Sequence, residues 1–261
     1  MRILTTGVSS GLGRFLHERL GGTGLALTPE SRREELESLA RSRPDVIIHC
    51  AANPARDVDA GDLFDYFDDN VLLTKELAGL PHKKFIFLSS VDVYPRSADN
   101  HREDEPIGAD SPRGVYPMAK LISESVVRRR CPDHLILRAT ALLGARSRRN
   151  SLIRMIEDDP CSLTLAGDSA FNYVRHEDVL EFIEAAIERG LSGTYNAASA
   201  GNVTLSEIAG MLGKAVTFGS HRYDAGRIDN RKIAAVCPAF QRSSRETAER
   251  FIAERSGARS A

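Results

Sequence analysis

Apolar runs too short to be helices alternate, along the first half of the chain, with stretches whose apolar residues recur at helical spacing. Ile3-Leu4 opens the series, and behind it Phe15, Leu16 and Leu20 share one face of a helix over 14–20. Gly21-Gly22-Thr23-Gly24 stops that helix before a short second strand, Leu25-Ala26-Leu27-Thr28. Residues 31–41 predict a charged helix with Leu36 and Leu39 inward. Ser31 and Glu34 are spaced there as a capping box, and Arg43-Pro44 is the stop. Asp45-Val46-Ile47-Ile48-His49-Cys50-Ala51-Ala52 is a near-continuous apolar run, the pattern of a strand covered on both faces. A helix is expected over 62–80 through Leu63, Phe67, Val71, Leu72 and Leu77. The strand from Lys84 to Ser90 follows, then a helix from Tyr116 through Leu121, Ile122 and Val126. Strands alternating with helices imply right-handed crossovers, so the fold class is α/β, a Rossmann-like doubly wound parallel sheet with ligands at the carboxyl ends of its strands. We assign residues 1–145, with part of 165–200, to this sheet and 146–261 mainly to a small C-terminal α/β lobe. The lobe is expected to hold helices over 151–156, 177–189, 205–212 and 246–255 and a frayed tail, with Thr204 and Glu207 as a capping box.

Composition narrows the partners. The 261 residues carry 35 basic and 36 acidic side chains, a net charge of −1, which provides no global field for nucleic acid or an anionic membrane. Four cysteines lie scattered without C-x-x-C spacing, so neither a metal site nor a disulfide framework is expected. No charged leader with a long apolar segment opens the chain and no apolar run approaches ~18 residues, so the expected location is the cytoplasm.

The candidate chemistry begins at Thr5-Thr6-Gly7-Val8-Ser9-Ser10-Gly11-Leu12-Gly13. Glycine spacing alone equally suits an ordinary Gly/Ser turn. Its position between a strand and a helix points to a phosphate site, where glycines let the backbone approach an anion and the helix N-terminus contributes about half a positive charge. Thr6, Gly7, Ser10, Gly11, Leu12 and Gly13 are therefore candidates for a dinucleotide pyrophosphate. A site for NAD often has an acid ending its second strand; here that end is Thr28-Pro29, with Arg14 and Arg32-Arg33 close by. Arginine forks suit a 2′-phosphate, so NADP(H) is favoured over NAD(H), with Glu30 as the alternative contact to the ribose. Asn70 lies inside a predicted helix, where it either faces water or makes a hydrogen bond that a site needs. Ser90 ends a strand, and Tyr116 and Lys120 are four apart on a helix, so the two can share one face. A phenol with a pKa near ~10 acts as an acid/base near neutrality only if it is depressed by roughly two to three units, which a neighbouring ammonium and a cationic ring would favour. Pro117 requires Tyr116 to sit at the very start of its helix.

Taken together, Thr6-Gly7…Gly11…Gly13, His49-Cys50-Ala51-Ala52, Asn70, the strand Leu88-Ser89-Ser90-Val91-Asp92-Val93-Tyr94 and Tyr116…Lys120 resemble, in order and spacing, the short-chain dehydrogenase/reductase superfamily. Leu137-Arg138-Ala139-Thr140, Phe171-Asn172-Tyr173-Val174-Arg175-His176-Glu177-Asp178 and Gly193-Thr194-Tyr195-Asn196 resemble later motifs of its extended branch, the NAD-dependent epimerase/dehydratase family acting on nucleotide sugars. The resemblance implies that Ser90 bonds the substrate oxygen, Tyr116 exchanges its proton, Lys120 tunes Tyr116 and holds ribose, and Asn70 braces the active-site helix. Ala51, Ala52 and Ser89 would line the cofactor, the lobe would bind substrate, and a homodimer would form through the helices of Asn70 and of Tyr116 and Lys120.

Asp92 fills one of two acidic slots of the family's dehydratases, but Val91 fills the other, which disfavours dehydration. Three further departures stand out. The glycine spacing G-x-x-x-G-x-G is that of the shorter branch, a strand–helix unit is missing between residues 28 and 45, and Phe171 stands where many members clamp the sugar diphosphate with an arginine. Arg146, Arg148, Arg149, Arg154 and Arg175 are the candidate replacements. The expected activity is an NAD(P)(H)-dependent reductase of a nucleotide-linked 4-keto sugar. The alternatives are an epimerase with retained cofactor and a non-catalytic dinucleotide-sensing protein.

Overall fold

The computed structural model describes residues 1–26, 31–55 and 57–257, apart from the Arg33 side chain. The predicted alternation is present. Strands β1 (Ile3–Thr6), β2 (Thr23–Leu25), β3 (Val46–His49), β4 (Lys84–Ser90), β5 (His134–Ala139) and β6 (Gly193–Ala197) form one sheet in the order β6-β5-β4-β3-β1-β2. The pairs β1–β2, β1–β3 and β3–β4 run parallel. Helices α1 (Gly11–Leu20), α2 (Arg32–Ser42), α3 (Leu63–Phe67), α4 (Leu73–Leu77) and α5 (Val115–Arg130) are the connections. β3 is buried throughout, as its apolar run requires, because a parallel sheet is covered on both faces. Leu4, Ile47, Phe85, Phe87 and Ile136 of the sheet pack with Leu39 of α2, Leu73 and Leu77 of α4 and Val127 of α5. Only α2 lies between β2 and β3, and β2 pairs with β1 alone, so the compact edge expected from the short interval is present among the described residues.

Several local expectations are corrected. The second strand begins at Thr23, before the Leu25 expected, because its register is set by pairing Thr23 with Leu4. Leu27, Thr28, Pro29 and Glu30 lie outside the described residues. Ser31 does not cap α2 with its side chain, since its own backbone is already helical. The helix predicted over 62–80 is interrupted by a π-helical turn, Asp68–Leu72, between α3 and α4.

The chain divides into two compact units. The first comprises Met1–Arg96, Glu103–Arg138 and Ala186–Tyr195; the second comprises Ser97–Arg102, Ala139–Ala185 and Asn196–Ala261. The second unit has its own core, in which Leu152, Ile153 and Ile156 of the helix Ser151–Glu157 pack with Leu205 and Ile208 of the helix Leu205–Leu212, together with Tyr173 and Phe251. Thr204 and Glu207 form the expected reciprocal capping box. Asn172, buried, donates to the carbonyls of Ser199 and Gly201 at 2.9 Å and accepts from Thr140 Oγ1 and the Ser199 amide, so its amide group is satisfied within this unit. The helix Ser244–Gly257 is longer than the 246–255 expected, and residues 258–261 of the predicted tail lie outside the described residues. No helix is long and apolar enough to cross a membrane among the described residues.

Phe85 is fully buried between α4, α5 and the neighbouring strands. We expect Phe85→Ala to lower the unfolding free energy by about 3–5 kcal/mol, checked by urea titration with an unchanged m-value.

Candidate active site

The glycine loop joins β1 to α1 through two close backbone approaches. Gly7, at φ +74°, lies against the chain leaving β3, where a Cβ would stand 2.7 Å from the Ala51 amide nitrogen. A Cβ on Gly13 would stand 2.5 Å from the Gly7 carbonyl oxygen and 2.7 Å from that of Thr6, so the first turn of α1 rests directly on the strand end. No side chain caps α1 at Ser10, and no acid occupies its first turn. The positive end of the helix is thus not offset by its own side chains, and the loop over it has no room for a Cβ at Gly7 or Gly13. These features fit a pyrophosphate held by the amides around Ser10, Gly11 and Leu12. The Ala51 amide donates to Thr6 Oγ1 at 3.1 Å, which ties the end of β3 to the loop; Ala51 and Ala52 are half-buried beside it.

Ser90 ends β4 at the mouth of the sheet, with Oγ accepting from the Asp92 amide at 3.1 Å across the 3₁₀ turn Val91–Val93. Successive residues of a strand face opposite ways, and Ser89 accordingly turns inward. Its hydroxyl is donated to Glu124 Oε1 at 2.6 Å. Tyr116 is the second residue of α5, after Gly114 at φ +97°, and Pro117 falls in the first turn, where a missing N–H costs nothing. Tyr116 therefore stands at the helix start, as Pro117 requires. One turn on, Lys120 is buried, donates from Nζ to the Leu88 carbonyl at 2.7 Å and lies 5.9 Å from the centre of the Tyr116 ring and 4.9 Å from that of Phe87. Burial pushes the Lys120 ammonium down to about 8, against the smaller opposing influence of Cys50 and Glu124.

A buried ion pair missed in the sequence lies under this face. Arg138 of β5 makes two bonds to Glu124 of α5, Nε to Oε1 at 3.0 Å and Nη2 to Oε2 at 2.8 Å. It also donates to Tyr94 Oη at 2.8 Å and covers the Tyr94 ring at 4.7 Å. Arg128 adds a third donor to Glu124 at 2.7 Å. Burial works against the charged carboxylate, but the bonds from Arg138 and Ser89 and the charges of Arg138 and Arg128 outweigh it and hold Glu124 below its usual range. One signal was available: Glu124 follows Lys120 by four residues and so lies on the same helix face.

Asn70 is buried rather than facing water, and it sits within the π turn. Its Nδ2 donates to the Tyr66 carbonyl at 2.9 Å, and its Oδ1 accepts from the Asn53 amide at 3.1 Å. Its own carbonyl accepts from Thr74 Oγ1 at 2.6 Å and from Ser123 Oγ of α5 at 3.2 Å, so it braces the helix of Tyr116 and Lys120.

The candidate arginines are largely engaged. Arg32 bonds Asp68 and, at 2.7 Å, Glu76; its guanidinium ties α2 to the π turn and α4. Arg14 pairs with Glu18 one turn along α1. Asp92 is buried and paired with Arg96. In the second unit, Arg149 pairs with Asp158, Arg154 with Asp158, and Arg175 with Glu177 and Glu254; Arg146 and Arg148 are exposed. Phe171 is stacked on Tyr223 at 4.6 Å and Tyr173 at 5.6 Å. All four cysteines are free.

A parallel sheet with a glycine loop over a helix N-terminus at its carboxyl end has the form of a dinucleotide-binding scaffold. The model of the NAD dependent epimerase/dehydratase family matches residues 3–198, and the chain belongs to that family, as its motifs implied. No curated protein sequence matches the chain. Its fold is similar to that of dTDP-4-dehydrorhamnose reductase from Clostridium acetobutylicum, with TM-score 0.81, 19% identity and coverage of 98% of this chain and 100% of that one. It is similar also to the Bacillus anthracis dTDP-4-dehydrorhamnose reductase in complex with NADP, with TM-score 0.79, 18% identity and coverage of 97% and 99%. A third is UDP-glucuronic acid 4-epimerase from Bacillus cereus in complex with UDP-glucuronic acid and NAD, with TM-score 0.76, 20% identity and coverage of 97% and 99%.

Two measurements follow from this geometry. Gly13→Ala places a methyl against two carbonyl oxygens, so we expect a loss of about 1–3 kcal/mol in thermal or urea unfolding; unchanged stability would contradict the close packing. Lys120 titrates near 8 when folded and at its ordinary 10.5 when unfolded, so the unfolded chain binds more protons between these values. The stability of the wild type relative to Lys120→Met should therefore rise from about pH 8 to about pH 10.5 and be flat below, checked by urea unfolding at one-unit steps.

Proposed function

We propose that the protein reduces the 4-keto group of a nucleotide-linked sugar at the expense of a reduced nicotinamide dinucleotide. The observation that carries this reading is Lys120, buried, anchored on the Leu88 carbonyl and 5.9 Å from the Tyr116 ring. A non-catalytic sensor has no use for an ammonium held beside a phenol, which disfavours that alternative. The bound coenzyme supplies the hydride. Tyr116 gives its phenolic proton to the carbonyl oxygen as the carbon is reduced, Ser90 bonds that same oxygen, and the Lys120 charge stabilises the phenolate left behind. The product is the sugar alcohol, and the proton returns to Tyr116 from solvent.

The relatives of similar fold include both reductases and an epimerase, and they bind NADP in one case and NAD in another. We favour NADP(H). With Arg32 committed to Asp68 and Glu76, we assign the 2′-phosphate to Arg14, whose partner Glu18 is an exposed i,i+4 neighbour worth only about 0.3–0.5 kcal/mol to displace. A homodimer through α3, α4 and α5 would cover Phe64 and Ile122, large apolar side chains exposed on those helices.

The test is mass spectrometry of nucleotide 4-keto sugars incubated with NADPH or NADH deuterated at the transferable position. One deuterium per product is expected, with turnover lost in Tyr116→Phe and coenzyme affinity retained. Isomerised product without added coenzyme and without label would make the protein an epimerase. Full turnover by Tyr116→Phe would remove the mechanism.

A further inference from the structure

His49, the last residue of β3, sits almost wholly inside the sheet core, its ring packed against Phe85 and Phe87 with centroids 6.1 and 5.6 Å away. Both ring nitrogens are within hydrogen-bond distance of a threonine hydroxyl: Nδ1 of Thr6 at 2.8 Å and Nε2 of Thr74 at 2.9 Å. Counting protons gives these contacts a direction. Thr74 has a single hydroxyl proton and gives it to the Asn70 carbonyl at 2.6 Å, so at the imidazole it accepts, and Nε2 carries the ring proton. A neutral ring then accepts at Nδ1, and Thr6 donates there while its oxygen takes the Ala51 amide at 3.1 Å. The neutral form is the one this buried position favours: burial, with the Lys120 charge adding to it, pushes the imidazolium pKa down to about 3. The result is one directed chain of hydrogen bonds. It runs from the Ala51 amide through Thr6, His49 and Thr74 to the Asn70 carbonyl, which Ser123 of α5 also bonds at 3.2 Å.

The two ends of this chain are the two halves of the site. Thr6 is the last residue before the glycine loop, and Asn70, in its π turn, braces the helix that carries Tyr116 and Lys120. We propose that His49, as its neutral Nε2–H tautomer, is a positioning residue that couples the order of the glycine loop to the placement of the Asn70 carbonyl, so that a change at Thr74 is felt at the dinucleotide loop. Each link in such a chain strengthens the next by polarisation, and a buried link left without its partner costs the desolvation of that partner. The coupling rests on the preceding functional reading only where the coenzyme is used as a probe; amide exchange of the free protein reads it independently.

The experiment uses the full chain with Thr74→Val, which keeps the side-chain volume and removes the hydroxyl, and Thr74→Ser, which restores the hydroxyl without the methyl. Hydrogen exchange of the free proteins is followed at the Ala51 amide and over residues 7–13. Affinity for NADPH and NADH is read by calorimetry, and the His49 tautomer by long-range proton–nitrogen NMR. In Thr74→Val we expect faster exchange both at Ala51 and across the glycine loop, together with roughly fivefold weaker coenzyme binding, the size of one lost hydrogen bond. Thr74→Ser should return both to near wild type. Exchange altered only within α4, a Thr74→Ser protein behaving like Thr74→Val, or a His49 ring protonated on Nδ1 would each overturn the proposal. A wild type that binds neither coenzyme would refute the functional reading instead, and the exchange comparison would still decide the coupling.

Discussion

The interaction on which the candidate active-site face depends most is the buried pair between Glu124 and Arg138. It fastens α5 to β5, and through Ser89 it fastens α5 to β4 as well, so the two elements that carry Ser90, Tyr116 and Lys120 are held to each other and to β5 by one set of charged bonds. A buried ion pair adds little net stability compared with well-packed apolar groups, but loss of one partner strands the other charge and costs about 3–5 kcal/mol. The pair is therefore better understood as a specification of register. Arg138 gives a third N–H to Tyr94, and Glu124 has both oxygens occupied, so a shift of α5 along the sheet would break several bonds at once.

The same placement governs the electrostatics. Lys120 lies one turn before Glu124 on α5 and is buried with it, yet Arg138 and Arg128 hold most of the carboxylate's bonding. The ammonium is pushed down by burial, with smaller relief from Cys50 and Glu124, and it donates to the Leu88 carbonyl. A cation poorly compensated by its surroundings is the kind that lowers a neighbouring phenol, since an anion nearby would be welcomed.

The fold was legible because its signals are local. β3, β4 and β5 each contain an apolar run and α1, α2 and α5 show apolar residues at helical spacing, while the glycine loop and the Tyr116–Lys120 pair lie within single segments. What was missed depends on distant partners. Asp68 and Glu76 are 36 and 44 residues from Arg32, and nothing near Arg32 marks it as neutralised. Arg138 meets Glu124 only because α5 turns back into β5. Asn70 looked like a misplaced helical residue; the π turn that buries it is made of Asp68-Asp69-Asn70-Val71-Leu72, a stretch that reads as ordinary helix. His49 carried a visible signal, a polar residue in a buried strand, whose meaning required Thr6 and Thr74 to be in place.

The division into two units is not a division of the chain. The backbone passes between them after Arg96, Arg102, Arg138, Ala185 and Tyr195, so neither unit is a continuous segment. The segment Ala186–Tyr195 leads into β6, the outermost strand on the β5 side of the sheet. During synthesis, five strands of the sheet are therefore made before the sixth, which follows β5 only after more than 50 further residues, Thr140 to Ser192. Until then β5 is an open parallel edge bearing Arg138, and the nascent protein must keep that edge from foreign partners while most of its second unit is still untranslated or unfolded.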